Sequence, residues 1–236
     1  MLMQQKPNIK GFSLLELLVV LAIISVIAGI GYPEFSKWQR DRVIKGEAEK
    51  FASLMTTATT RVEMGNYPYV RIQFDTSGVI TAQGVTQTDL SKKINSPNKP
   101  LCKLSDFTGK WQTIGSQTLN EKVYIPSLGA GAAICFSKGG KYFKQSGTAD
   151  TQGHITLGVH MDKDADIKLS DGSTKPKTTN NYVVFCHINS SACNAVTGSF
   201  DKNYTSFLIR YSRFGTINKY NWVFKRNTTT GYFVNQ

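Results

Sequence analysis

The sequence predicts an α+β protein in which a long N-terminal helix lies against an antiparallel β head. Three observations carry this. Residues 12–32 form an apolar run with one charged side chain, Glu16. From Ile44 to Val62, apolar residues recur at steps of four and three, the period of a helix with one buried face. Beyond Tyr67 the pattern switches to alternation, the period of strands. A chain of 236 residues holds one good-sized domain plus an appendage, and 40% hydrophobic content with 11% aromatics suits a packed body rather than a disordered one. The net charge of +12 favours anionic partners without choosing among them.

Taken in order, Phe12 to Tyr32 rises ~1.5 Å per residue and so matches the ~30 Å hydrocarbon core of a bilayer. Lys6 and Lys10 precede it with no acidic residue, which biases the N-terminus to the cytoplasm and the residues beyond Pro33 to the outside. Three readings fit. An ordinary secretory signal would use the small residues Gly29 and Gly31 as its cleavage site and release a soluble periplasmic protein. A permanent single-pass anchor would keep the run in the membrane. Neither explains Glu16, since a carboxylate opposes both; the third reading gives it a partner. The second half of the helix buries Ile44, Ala48, Phe51, Met55, Ala58 and Val62, with Lys37, Arg40, Arg42, Lys45, Glu47 and Lys50 among the polar positions. Pro33 is an expected kink, and Gly65 with Pro68 the expected stop.

YVRIQF and VITAQ, joined by a Thr-Ser-Gly turn, open the head. Further strands are expected in KVYIP, AAICFS, KYFKQ, HITLGVHM, NYVVFCHI, SFLIRYS, YNWVFKR and YFVNQ, with turns at Gly139-Gly140 and Phe214-Gly215. These make two small sheets stacked on the helix. Residues 84–121, rich in Ser, Thr, Asn, Lys and Pro, read as a long insertion tied down by Cys102. The cysteines 102, 135, 186 and 193 allow three pairings, and an exported chain favours disulfides. Cys186 and Cys193 bracket only HINSSA and are expected to close a local loop, which leaves Cys102 for Cys135.

Lys10-Gly11-Phe12-Ser13-Leu14-Leu15-Glu16, leading into the apolar run, resembles the class III signal of type IV pilins and type II secretion pseudopilins. The resemblance implies a pilin-like fold, cleavage by a prepilin peptidase between Gly11 and Phe12, and N-methylation of Phe12. It divides the chain into a leader (1–11), a transmembrane and assembly helix (12–66) and a β-rich head (67–236). The subunit would sit in the bacterial inner membrane with its head in the periplasm, then pack with other pilins into a pilus or pseudopilus. Glu16, fifth in the mature chain, would neutralise a Phe12 amine, its own or a neighbour's, and so set the assembly register. The competing reading is that Glu16 is only a first-turn acid favoured by the helix dipole.

FASLMTTATTRVEMGNYPYVRIQF and RFGTINKYNWVFKRNTTTGYF resemble the GspH/FimT branch of minor pilins. Some members bind DNA for uptake through a C-terminal Gly-Arg-x-Arg stretch; here the place reads Gly231-Tyr232-Phe233-Val234, without either arginine. Arg210, Arg213, Lys219, Lys225 and Arg226, interleaved with Tyr211, Phe214, Tyr220 and Trp222, are a second candidate for contact with DNA or a cell surface. Strand alternation gives the same residues a plainer reading, aromatics to the core and cations to solvent.

Asp162, Asp164 and Asp166 imitate the start of a calcium loop, but Ile167 stands where Gly is needed and Ser173 where the closing acid is needed. The three histidines, His154, His160 and His187, fit no metal motif, and no nucleophile elbow or phosphate loop occurs. No enzyme, cofactor or metal is therefore expected.

Overall fold

The computed structural model describes residues 13–94, 102, 107–126, 132–140, 144–146, 182–194, 199–212, 214–224 and 231–235. Helix α1 (Leu14–Glu63) runs without a break through Pro33. The chain divides into two compact units, residues 1–39 and 40–236, so the division falls within α1.

In the second unit the stripe read from the sequence is the buried one: Ile44, Phe51, Met55 and Ala58 are fully buried and Ala48 and Val62 nearly so. The helix ends where Gly65 takes a left-handed φ of 79°. Its amide donates to the Val62 carbonyl (3.0 Å) and that of Asn66 to the Arg61 carbonyl (3.0 Å), the paired bonds of a Schellman end.

Two five-stranded antiparallel sheets pack on this stripe. The first has the order β3-β2-β1-β5-β6, from β1 (Tyr69–Phe74), β2 (Val79–Val85), β3 (Gln112–Thr118), β5 (Ala133–Ser137) and β6 (Lys144–Ser146). The second has the order β12-β11-β10-β7-β4, from β4 (Val123–Tyr124), β7 (Tyr182–His187), β10 (Phe207–Tyr211), β11 (Ile217–Phe224) and β12 (Gly231–Asn235). A two-stranded ladder joins β8 (Cys193–Asn194) to β9 (Ser199–Phe200). Val70, Ile72 and Phe74 of the first sheet and Val183, Phe185, Ile209 and Tyr211 of the second share one core with the helix stripe. Phe51 touches both: its ring lies 5.6 Å from Phe74 and 5.5 Å from Phe185.

The outer faces are covered as well. On the first sheet Tyr69, Val85, Ala133 and Cys135 lie under Leu90, Cys102 and Phe107. Arg71, a solvent position by alternation, is buried there: it donates to Gln83 Oε1 (2.6 Å) and its guanidinium stands 4.1 Å over the Trp111 ring. On the second sheet Tyr182, Val184, Leu208, Trp222 and Phe233 lie under Phe200 and Cys193. Both disulfides pin these covers. Cys102 joins Cys135 with Cα atoms 5.8 Å apart, and Cys186 joins Cys193 at 6.3 Å. Each restricts the unfolded chain, an effect worth about 2–4 kcal/mol.

Residues 84–121 are therefore not a plain insertion. They complete β2, form helix α2 (Gln87–Ile94) and supply the edge strand β3. Thr86 caps α2: its hydroxyl donates to Asp89 Oδ2 (2.8 Å) and accepts the Asp89 amide (3.3 Å). QTIGSQT gives β3 no apolar alternation because it is held by polar contacts. Gln117 Nε2 donates to the Glu47 carbonyl oxygen (3.0 Å) and to its carboxylate (2.8 Å), which also accepts from Lys50 Nζ (2.8 Å). Glu47, a polar position in the helical pattern, is thus buried and paired. Of KVYIP only Val123–Tyr124 is strand, and β6 begins at Lys144. HITLGVHM and the aspartates 162, 164 and 166 lie outside the described residues.

His187 ends β7, buried against Tyr204 with ring centroids 4.4 Å apart, and its Nδ1 accepts the Asn189 amide (3.1 Å). Burial, then the charges of Arg40 and Lys122, hold its pKa below the ordinary value. The unfolded chain takes up that proton near pH ~6.5, so the native state gains its full benefit above this pH and loses it as pH falls through the lower native value. The melting temperature of the full chain should therefore drop from about pH 7 to pH 5, with a shallower slope for His187→Asn. A second expectation concerns the core. Phe51→Ala should cost about 3–5 kcal/mol in urea unfolding, whereas exposed Phe35→Ala should change stability by less than about 0.5 kcal/mol.

Candidate functional site at the N-terminal helix

Residues 13–39 give the first unit its chemistry. Ser13 caps α1, its hydroxyl accepting the Leu15 amide (3.3 Å) and its carbonyl the Leu17 amide (3.2 Å). That places Glu16 at the third helical position, in the first turn, where the positive end of the helix dipole favours a carboxylate. The Glu16 side chain is exposed. Gly11 and Phe12 lie outside the described residues.

Behind Glu16 the helix is apolar all round. Leu14, Leu15, Leu18, Val19, Leu21, Ile24 and Ile27 are each about half or more exposed, and a 3.6-residue period distributes them over every face. The one hydroxyl between Glu16 and Tyr32 in the sequence, that of Ser25, is satisfied internally by donating to the Leu21 carbonyl (2.8 Å). Such a surface calls for cover by lipid or by other helices. Among the described residues no helix is long and apolar enough to cross a membrane.

The basic candidates do not converge. Arg210 pairs in register with Asn218, and Lys219 with Ile209, so the two cations emerge on opposite faces of the second sheet. Tyr211, Tyr220 and Trp222 are buried in the two cores flanking that sheet rather than offered for stacking, and only Phe214 is exposed. Arg213, Lys225 and Arg226 lie outside the described residues. Sequence reasoning missed Ser13 as the cap; the Ser-x-x-Glu spacing ahead of an apolar run was the signal for it.

No curated protein and no solved structure matches the chain. Residues 6–32 match the family described as the prokaryotic N-terminal methylation motif. That segment contains the Gly11–Phe12 junction, the capping Ser13, Glu16 and the all-apolar helix, and the match supports a type IV pilin-like class III signal at the start of this chain.

Proposed function

We propose that this chain is a minor pilin or pseudopilin subunit of the GspH/FimT type. A prepilin peptidase cuts it between Gly11 and Phe12 and Phe12 is N-methylated. It is held in the inner membrane with its head in the periplasm, and it then enters a type IV pilus or type II secretion pseudopilus through its helix. The observation that carries this reading is the methylation-motif match over residues 6–32 on a helix that is apolar on every face. The role is one of assembly; no catalytic residue or cofactor is assigned. Partners are other pilins through α1, with Glu16 meeting a Phe12 ammonium as subunits pack. A lone charge buried among helices costs several kcal/mol, and pairing removes most of that cost, so one axial stagger is preferred. Binding of DNA or a cell surface gains nothing from Arg210 and Lys219, whose faces oppose each other.

N-terminal sequencing and intact mass of the membrane-extracted protein should give a start at N-methylated Phe12. A start near Tyr32 would identify an ordinary signal peptide and overturn the reading. Glu16→Ala should be cleaved normally and leave head stability within about 0.5 kcal/mol, yet enter fibres at least about tenfold less efficiently. Normal entry would show that the carboxylate serves only as a first-turn acid favoured by the helix dipole.

A further inference from the structure

The side chains of the first unit change character abruptly. From Ser13 to Gly31 the run contains no aromatic residue; then Tyr32, Phe35 and Trp38 follow within two turns, with Lys37 among them. All three rings face solvent, at 75%, 53% and 51% exposure. Phe35 and Trp38 lie against each other, their centroids 5.7 Å apart, and Lys37, at the same level of the helix, is exposed. Helical side chains lean toward the N-terminus of their helix, so these rings reach back toward the aliphatic run rather than away from it.

We infer that Tyr32, Phe35, Trp38 and Lys37 form an interfacial anchor. It seats the helix in the headgroup layer of an anionic phospholipid surface on the side away from the N-terminus. The inference rests on the membrane residence proposed above and adds what fixes the depth. From Leu14 to Tyr32 the helix rises ~27 Å, close to the ~30 Å hydrocarbon core, so the rings begin where the hydrocarbon ends. Rings with a polar tip suit that layer: the Tyr32 hydroxyl and the Trp38 indole N–H meet water and headgroups while the ring bodies stay in the acyl boundary. Lys37 supplies the charge complement, an ammonium at the level of lipid phosphates.

The test uses the full chain in vesicles of phosphatidylethanolamine and phosphatidylglycerol, with lipids brominated either near the glycerol or near the acyl terminus. Trp111 and Trp222 lie in the head, so the difference between wild type and Trp38→Phe isolates the Trp38 emission. That emission should be quenched about twofold or more better by the shallow bromines than by the deep ones. Tyr32→Ala with Phe35→Ala should erase the depth preference while flotation with the vesicles persists. Flotation of the wild type without shallow quenching overturns the anchor and leaves the membrane reading standing. Trp38 shielded from both bromines, with chains cross-linking through residue 38, overturns it in favour of a contact between copies. Failure to float overturns both readings.

Discussion

A single helix has to satisfy two different surroundings, and most of the structure stems from that constraint. From Ile44 to Val62, α1 presents one apolar stripe that the head buries. From Leu17 to Ile27 the same helix carries exposed apolar side chains in every direction. Each Leu, Ile or Val withdrawn from water contributes about 1.5–3 kcal/mol, so covering the whole run outweighs the net stability of a typical domain, about 5–15 kcal/mol. The first half of α1 cannot rest in water. Such a surface needs cover, and bilayer and fibre are two covers that suit it.

The head answers the other half of the constraint. One helical stripe is too narrow to close two sheets, so residues at its centre must serve both, as Phe51 does between Phe74 and Phe185. Sheets packed on a helix by one face still expose the other, and this chain closes those faces too. The segment bearing Cys102 covers the first sheet, and the β8–β9 ladder with Phe200 covers the second. Each disulfide runs from a covering segment to a strand it covers, Cys102 to β5 and Cys193 to β7.

The sequence therefore revealed some elements far better than others. The helix stripe was readable residue by residue because one face is buried and one is wet. YVRIQF and the Thr-Ser-Gly turn were readable too, the turn closing at Gly78 with a left-handed φ of 81°. Alternation misleads where both faces of a strand are buried. YVVFCH is buried at all six positions, and Arg71 is enclosed although it sits at a polar position. QTIGSQT was illegible for the opposite reason: Ile114 is its one apolar contact with the core, and the Gln117–Glu47 contact with α1 leaves no hydrophobic signature. At the N-terminus the motif gave Gly11, Phe12 and Glu16, whereas Ser13 became meaningful only once the first turn was seen to start there.

That starting point bears on the two roles of Glu16. A helix capped by Ser13 begins immediately after the residue proposed to become the mature N-terminus, so the new ammonium would lie just outside the first turn, and Glu16 within that turn. As a dipole partner an exposed first-turn carboxylate is worth about 0.3–1 kcal/mol. Burying the same carboxylate unpaired among apolar helices costs several times more, so the dipole alone cannot justify an acid in this position. On the proposed function the two roles would be successive rather than exclusive. In the free subunit Glu16 lies exposed in the first turn, where the helix dipole favours it. When helices pack and water leaves, the carboxylate would be tolerated only where an ammonium meets it. On the proposed function, a first-turn acid would become the group that decides the stagger because its surroundings would change from wet to dry around it.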